Sequence, residues 1–283
     1  MRIYLAGLEC YFSYLEEANV KVRNSFISFY AMHKANSEIL LRNVQRARQL
    51  SQGKIVCDSG AHSFFSENPL AGASASGHRK STKTITTPDD YFELYKNFMH
   101  IAEPYVDYFV ELDIGELVTQ KKVEAWRKML EREGLIDRII KVYHPAVMSW
   151  AEFEETCRLS ESKYVAVEGD RPLQRKSRLD YTRAIKIARA HDCKIHGFAM
   201  TKKNALDMYP FYSVDSSSWA AFIVWGSSSI VRDKSKHLKE IDSHRARTPE
   251  GRKHLYAQEV AAWLEREDYY TRLWEKRGVF WTE

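Results

Sequence analysis

Apolar residues along this chain fall into two alternating kinds of pattern. Short, near-continuous apolar runs occur at 2–8 (RIYLAGL), 25–30 (SFISFY), 54–59 (KIVCDS), 107–113 (DYFVELD), 139–144 (IIKVYH), 163–169 (KYVAVEG), 194–200 (KIHGFAM) and 212–216 (YSVDS). Runs of that length without strict alternation suit parallel strands covered on both faces. Between them lie stretches with apolar residues every three or four positions: 37–50, 89–102, 121–133, 149–159 and 178–191. That period predicts amphipathic helices, and Thr87-Pro88-Asp89 is a helix start, with proline and acid in the first turn.

Eight strands with helices interleaved predict a (β/α)8 TIM barrel in the α/β class. No GxGxxG turn follows the first strand, which counts against a doubly wound open sheet. Two segments break the rhythm. Residues 66–87 are rich in Gly, Ser and Ala and basic, and follow the third strand, where a substrate-covering loop would sit. From Asp233 to Glu283 the chain is charged and of helical period, with Trp263, Tyr270 and Trp274 at core-stripe spacing. The expected division is a catalytic barrel over 1–232 and a C-terminal helical extension over 233–283 packed on it.

Composition narrows the class. The 283 residues are 44% hydrophobic, enough for one sizeable core. No apolar run approaches the roughly 20 residues of a membrane helix. The opening MRIYLAGLECYF reads as a first strand rather than a signal peptide, so a cytoplasmic protein without membrane contact is expected. Cys10, Cys57, Cys157 and Cys193 are scattered, with no CxxC pair, which argues against a structural zinc and a disulfide framework. The net charge of +5 becomes informative through its placement. Basic residues bunch at His78, Arg79, Lys80 and Lys83, and at Arg171, Arg175, Lys176 and Arg178. They bunch again at Arg232, Lys234, Lys236 and His237, and at Arg245, Arg247, Arg252 and Lys253. Such clusters suit either a phosphate-tracking surface or ordinary solvated faces.

Polar residues at the C-terminal ends of barrel strands are the default catalytic candidates. That filter selects Asp58, Glu111, Asp113, His144, Glu168, His196 and Asp215. Each alone also fits a helix cap. Together they place several carboxylates at one mouth, which suits chemistry at an anomeric carbon: one attacks C1′, and another handles the proton of the leaving and entering group.

The segment CDSGAHSF (57–64) resembles the DSGG-F-Q segment of the queuine/archaeosine tRNA-guanine transglycosylases. YSVDSSSW (212–219) resembles the late-strand segment that carries that family's nucleophilic aspartate. Between them, VELDIGE, VYHPAVM, VAVEGD and IHGFAM fall in the order of the family's base-binding strands, so the likeness spans roughly residues 50–220. DSGAHSF, HGFAMT and SVDSSSW together look closest to phage-type members, which insert 7-deazaguanines into DNA. The resemblance implies a TIM barrel that exchanges guanine for a 7-deazaguanine such as preQ0. It implies Asp215 as nucleophile and Asp58 as general acid/base. Asp113 would read the base edge, with Ser59 and Gly60 beside the base and shaping the turn that aims Asp58, His144, Glu168, Gly169 and His196 around the base, and Phe198 or Met200 as an apolar wall. Arg79, Lys80, Lys83, Arg171, Arg175, Lys176 and Arg178 would follow the nucleic-acid backbone. It also implies a homodimer and no cofactor.

The departures matter. The tRNA enzymes carry a Cys-x-Cys-x-x-Cys zinc site near the C-terminus, whereas no cysteine follows Cys193 here. No zinc subdomain and no metal are therefore expected, and DNA stands ahead of tRNA as substrate. The family's Gln and Gln-Gly positions read Ala61-His62-Ser63 and Tyr143-His144-Pro145. Three alternatives stay open: a zinc-less tRNA enzyme, a non-catalytic nucleic-acid-binding subunit, and an unrelated barrel hydrolase of a small sugar.

Overall fold

A computed structural model describes residues 1–61, 87–114, 118–144, 148–168, 180–220, 228–231, 238–241 and 248–281, the two segments 228–231 and 238–241 by backbone alone. Eight parallel strands close on themselves in sequence order: β1 (Arg2–Ala6), β2 (Ser25–Ser28), β3 (Ile55–Asp58), β4 (Tyr108–Val110), β5 (Ile139–Tyr143), β6 (Tyr164–Val167), β7 (Lys194–Gly197) and β8 (Ser213–Ser216). β8 pairs with β1, with Tyr4 opposite Asp215, and this seam closes the barrel. The expected (β/α)8 fold is thus present, and all eight expected strands are found.

Helices follow the strands: α1 (Phe12–Glu17), α2 (Phe29–Met32), α3 (Ser37–Leu50), α4 (Pro88–Ala102), α5 (Gln120–Arg132), α6 (Trp150–Arg158), α7 (Tyr181–Ala190), α8 (Lys203–Met208) and α9 (Pro249–Lys276). The long ones start where local chemistry satisfies their first N–H groups. Thr87 and Asp90 form a capping box on α4, with Pro88 in the first turn, and Ser149 and Glu152 form another on α6. The short helices α1, α2 and α8 were not visible as periodic segments, because four to six residues carry too little pattern.

The C-terminal helical extension is present. Its long helix α9 packs against β1 and α1 and supplies the eighth helix of the outer ring. Trp263, Tyr270 and Trp274 are buried there, and the Trp274 indole donates to the Leu206 carbonyl at 2.9 Å. The stretch after residue 232 is not wholly helical, however. β9 (Ser228–Val231) pairs antiparallel with β10 (Leu238–Ile241), so the expected 232/233 division falls inside a hairpin. Four-residue strands such as SSIV and LKEI are too short to stand out beside a helical pattern of 28 residues.

Two apolar cores result. Outward-facing strand residues such as Ile3, Ile27, Cys57, Val165 and Val214 join the helices in one. Tyr4, Phe26, Val56, Val110, Ile140, Val142, Tyr164 and Ala166 fill the barrel itself. Carboxylates finish the strand edges where backbone partners run out. Glu111 accepts the Val142 N–H at 2.6 Å and binds Arg127 through both oxygens, at 2.7 and 2.8 Å. This side-chain acceptor replaces the ladder carbonyl, which is why β4 ends at Val110 rather than at residue 113. Asp107 accepts the Ile55 N–H at 2.8 Å below β3. Glu267 of α9, 5% exposed, accepts the Ile3 N–H at 2.9 Å together with the Asn24 amide and the Arg23 guanidinium.

Glu267 therefore ties the last helix to the β1–β2 seam, and Glu267→Ala strands a buried N–H and a buried amide. The expected loss is about 3 kcal/mol, read as a lower denaturation midpoint in urea with an unchanged slope.

Candidate active site

The strand period of two sets the site. Residues one step beyond the barrel filling, in the same inward register, reach the C-terminal mouth: Ser28, Asp58, His144, Glu168 and Phe198. Ser28 lies level with Asp58 and Tyr4 with Asp215, so β8, β1, β2 and β3 share one rim.

Asp58 ends β3 at this mouth. Burial pushes its carboxyl up from 3.8 to about 7, the neighbouring Asp113 charge adds to the rise, and a hydrogen bond from the Gly60 backbone opposes it. Asp215 and Glu9 contribute further repulsion. Gly60 has φ +78°, and a Cβ there would stand 2.2 Å from Cβ of Tyr30. No other residue fits that turn without displacement. Ser59 is fully buried, its hydroxyl donating to the Glu111 carbonyl at 3.0 Å while the Tyr91 hydroxyl donates to its own carbonyl at 2.6 Å. It therefore shapes the turn that aims Asp58, and the expectation that Ser59 touches a base is corrected.

Across the mouth, His144 bridges two carboxylates. Its Nε2 is 2.8 Å from Asp113 and its Nδ1 is 3.6 Å from Glu168. Desolvation opposes charge on this imidazole, but its hydrogen bonds and ion pairs with Asp113 and Glu168 outweigh it and raise the pKa to about 10. Burial raises Asp113, with His144 restraining the rise. Asp113, His144 and Glu168 thus come together, as a charged triad on consecutive strand ends. Glu111, two residues from Asp113, faces the other way into the Arg127 pair and leaves the candidate list.

Asp215 is 9% exposed. Its Oδ1 accepts the Ala199 N–H at 2.7 Å and lies 3.2 Å from His196 Nε2. Ala199 holds φ +53°, unusual for a residue with a side chain, and that conformation points its N–H at the carboxylate. His196 is fully buried, stacked on Phe26 with ring centres 5.5 Å apart. Its Nδ1 is 2.7 Å from Ser213 Oγ, which in turn meets the Tyr164 hydroxyl. An Nε2–H of His196 would donate to Asp215, with Ser213 then donating to Nδ1 and Tyr164 to Ser213. The expected base contact from His196 is therefore corrected: with no exposed surface it orients Asp215 instead. Met200 is corrected too, because it packs beside Gly197 in the outer core, leaving half-buried Phe198 as the apolar wall. Trp219 is a core residue whose indole donates to the Ala6 carbonyl at 2.9 Å.

Gly169, Arg79, Lys80, Lys83, Arg171, Arg175, Lys176 and Arg178 lie outside the described residues, as do His62, Phe64 and Phe65. One site residue escaped the sequence filter. Glu9, in the turn Leu8–Cys10 just past β1, adds a fifth carboxyl, and burial pushes it up from 4.5 to about 7. The filter took polar residues at strand ends, and Glu9 sits beyond Gly7, one turn further. Among the described residues no group of three or more His, Cys, Asp or Glu is arranged to hold a metal ion. No described helix is long and apolar enough to cross a membrane.

No protein-family model matches the chain, and no curated protein matches it. Among solved structures, a phospho-2-dehydro-3-deoxyheptonate aldolase (DAHP synthase) from Thermotoga maritima is similar at 12% identity and a TM-score of 0.45, covering 99% of this chain and 70% of that one. A protein assigned as a fructose-1,6-biphosphate aldolase from Coccidioides immitis is similar at 11% identity and a TM-score of 0.48, covering 96% and 92%. The fold is defined by the strand order itself, and neither neighbour's chemistry transfers to this chain.

The raised Asp58 makes stability fall with pH. Its folded pKa of about 7 exceeds the ordinary 3.8, so the folded state binds more protons between those values. The Asp58 contribution is full below pH 4 and is lost as pH rises through 7. His144 adds a contribution in the same sense, present below its ordinary 6.5 and lost as pH rises through about 10. Asp58→Asn removes only the first component. Thermal melts should show it matching the wild type at pH 4 and exceeding it by several °C at pH 8.

Proposed function

We propose that this chain is an enzyme that exchanges guanine in DNA for a 7-deazaguanine base such as preQ0, through a covalent glycosyl-aspartate. One observation carries the reading. Two carboxyls at a single barrel mouth are prepared differently: Asp58 is pushed to about 7, while Asp215 is held by N–H donors on one oxygen. Two carboxyls held in such unlike surroundings suit an acid/base and a nucleophile. The motif likeness of the segments around both residues agrees with that assignment.

The reaction follows from these positions. Both donors engage Oδ1 of Asp215, which leaves Oδ2 to attack C1′. As the C1′–O bond forms, the C1′–N9 bond breaks and its electron pair passes to guanine, which takes the proton of Asp58 and departs neutral. The entering base gives its N9 proton to Asp58 and attacks C1′ from N9, and the bond to Asp215 breaks. Atoms and charge balance over the two steps without an oxidant. In this reading Asp113, held by His144, accepts hydrogen bonds from the edge of the base, and Phe198 offers it an apolar side. A guanine within a duplex must leave the stack to reach this mouth, so flipping or a single strand is required.

The test is exchange of labelled guanine into DNA and, in parallel, into tRNA. Incorporation into DNA should vanish in Asp215→Ala and fall roughly 100- to 10,000-fold in Asp58→Asn. A DNA adduct that survives a denaturing gel should form with wild type and not with Asp215→Ala. Incorporation into tRNA alone would move the substrate and keep the mechanism. Exchange into neither, with DNA still bound tightly, would overturn the enzymatic reading in favour of a binding subunit.

A further inference from the structure

On the face of the barrel opposite the mouth, two thiols meet. Cys157 lies in the last turn of α6 and is fully buried, and Cys193 lies in the turn between α7 and β7, 6% exposed. The Cys193 Sγ is 3.1 Å from the Cys157 carbonyl oxygen, and the two thiols are hydrogen-bonded to each other. Sulfurs in such contact meet the first requirement for a disulfide, adjacency in the folded chain. Two ammonium groups close over the chain that leaves Cys157. Lys163 Nζ is 3.4 Å from the Arg158 carbonyl, and Lys141 Nζ is 3.4 Å from the Leu159 carbonyl and 2.7 Å from Glu161.

The other two cysteines show what this pair adds. Burial pushes the thiols of Cys57 and Cys10 up, and a neighbouring carboxyl, Asp58 for the first and Glu9 for the second, adds to the rise. Among the described residues neither is hydrogen-bonded to another thiol. Cys193 is different. The hydrogen bond from Cys157 holds its thiol below the ordinary value, against burial and Asp192, and Lys163 and Lys141 help. At rest its proton goes to the Cys157 carbonyl. Once that proton is lost, the Cys157 S–H and the two ammoniums answer the charge. The same contact and burial push Cys157 up, so Cys157 is the thiol that keeps its proton. We propose that Cys193 and Cys157 form an oxidation site for hydroperoxides, with Cys193 as the attacking sulfur and Cys157 as the resolving one.

The chemistry needs only the peroxide. The Cys193 thiolate attacks its terminal oxygen: an S–O bond forms, the O–O bond breaks, and the electron pair leaves on the other oxygen. That oxygen takes up a proton and departs as water or an alcohol, leaving a sulfenic acid on Cys193. Cys157 then attacks the sulfenic sulfur. The S–S bond forms, the S–O bond breaks, and hydroxide leaves with the Cys157 proton as water. Two thiols lose two electrons and the peroxide gains them. A dithiol reverses the bridge by exchange. The bridge closes a loop that carries β6 and Glu168 and ends where β7 begins. No residue of the mouth takes part, so the site stands apart from the base-exchange reading.

The experiment doses the folded full chain with hydrogen peroxide, blocks the remaining thiols with N-ethylmaleimide in denaturant, and maps peptides by mass spectrometry without reduction. Wild type should yield a linked pair of peptides joining Cys157 to Cys193, lighter by two hydrogens than the separate thiols, and dithiothreitol should remove the link. At low dose its yield should exceed oxidation of the exposed Cys10 roughly ten-fold, because thiolate character outweighs exposure. In Cys157→Ala, dimedone should trap a sulfenic acid on Cys193. In Cys193→Ala, Cys157 should stay a thiol at the same dose. The wild-type map decides the bridge whether or not either variant folds. No link in wild type, a link made to Cys10 or Cys57 instead, or Cys10 oxidised ahead of the pair would overturn the site. A sulfenic acid on Cys157 in Cys193→Ala, with none on Cys193 in Cys157→Ala, would overturn the assignment of attacking and resolving sulfurs.

Discussion

Crowding of carboxyl groups in a water-poor barrel mouth is the constraint around which the rest of this molecule is arranged. Glu9, Asp58, Asp113, Glu168 and Asp215 all sit at the C-terminal end of one barrel. Their mutual repulsion and desolvation would exclude such a cluster unless each charge were handled separately. The protein uses three devices. A histidine between two acids, His144, offsets part of the charge of Asp113 and Glu168. Directed N–H donors hold Asp215. Burial keeps Asp58 and Glu9 protonated up to neutral pH.

The scaffold beneath serves this arrangement. Tyr91 and Tyr95 of α4 and the Ser59 hydroxyl tie the ends of β3 and β4 together through backbone carbonyls, which fixes the turns that carry Asp58 and Asp113. Tyr164 and Ser213, inside the barrel, hold the His196 ring through Nδ1, and its Nε2 meets Asp215. Strain at Ala199 and close packing at Gly60 occur at the two turns nearest the proposed chemistry. A fold that stores local cost beside its reactive groups and recovers it through packing elsewhere is the usual pattern of functional sites.

Carboxylates have a second use away from the mouth. Glu111, Asp107 and Glu267 accept strand N–H groups where the ladder lacks a backbone partner, and Arg127, Lys54 and Arg23 balance their charge. Asp and Glu thus play two roles in one barrel, and position alone separates them. At an inward step beyond the filled core a carboxyl meets the mouth. At an outward or opening step it seals an edge. Glu111 and Asp113 both lie past Val110, the last residue of β4, where strand alternation no longer holds, and there they take unrelated partners.

The amino-acid sequence by itself determined the eight strands, the barrel and the long helices, because apolar period and capping residues are local properties summed over many positions. It also determined that Asp58, Asp113, His144, Glu168 and Asp215 would meet, since strand ends of a closed barrel converge whatever their spacing in the chain. Only the tertiary structure decided which side chains face the mouth. Glu111 turned to Arg127, Met200 went to the outer core, and His196 was sealed behind Asp215, because facing depends on where each strand stops and what packs beside it. The hairpin after β8 and the place of Glu9 were also settled there. A four-residue strand and a lone glutamate past a glycine carry no periodic signal.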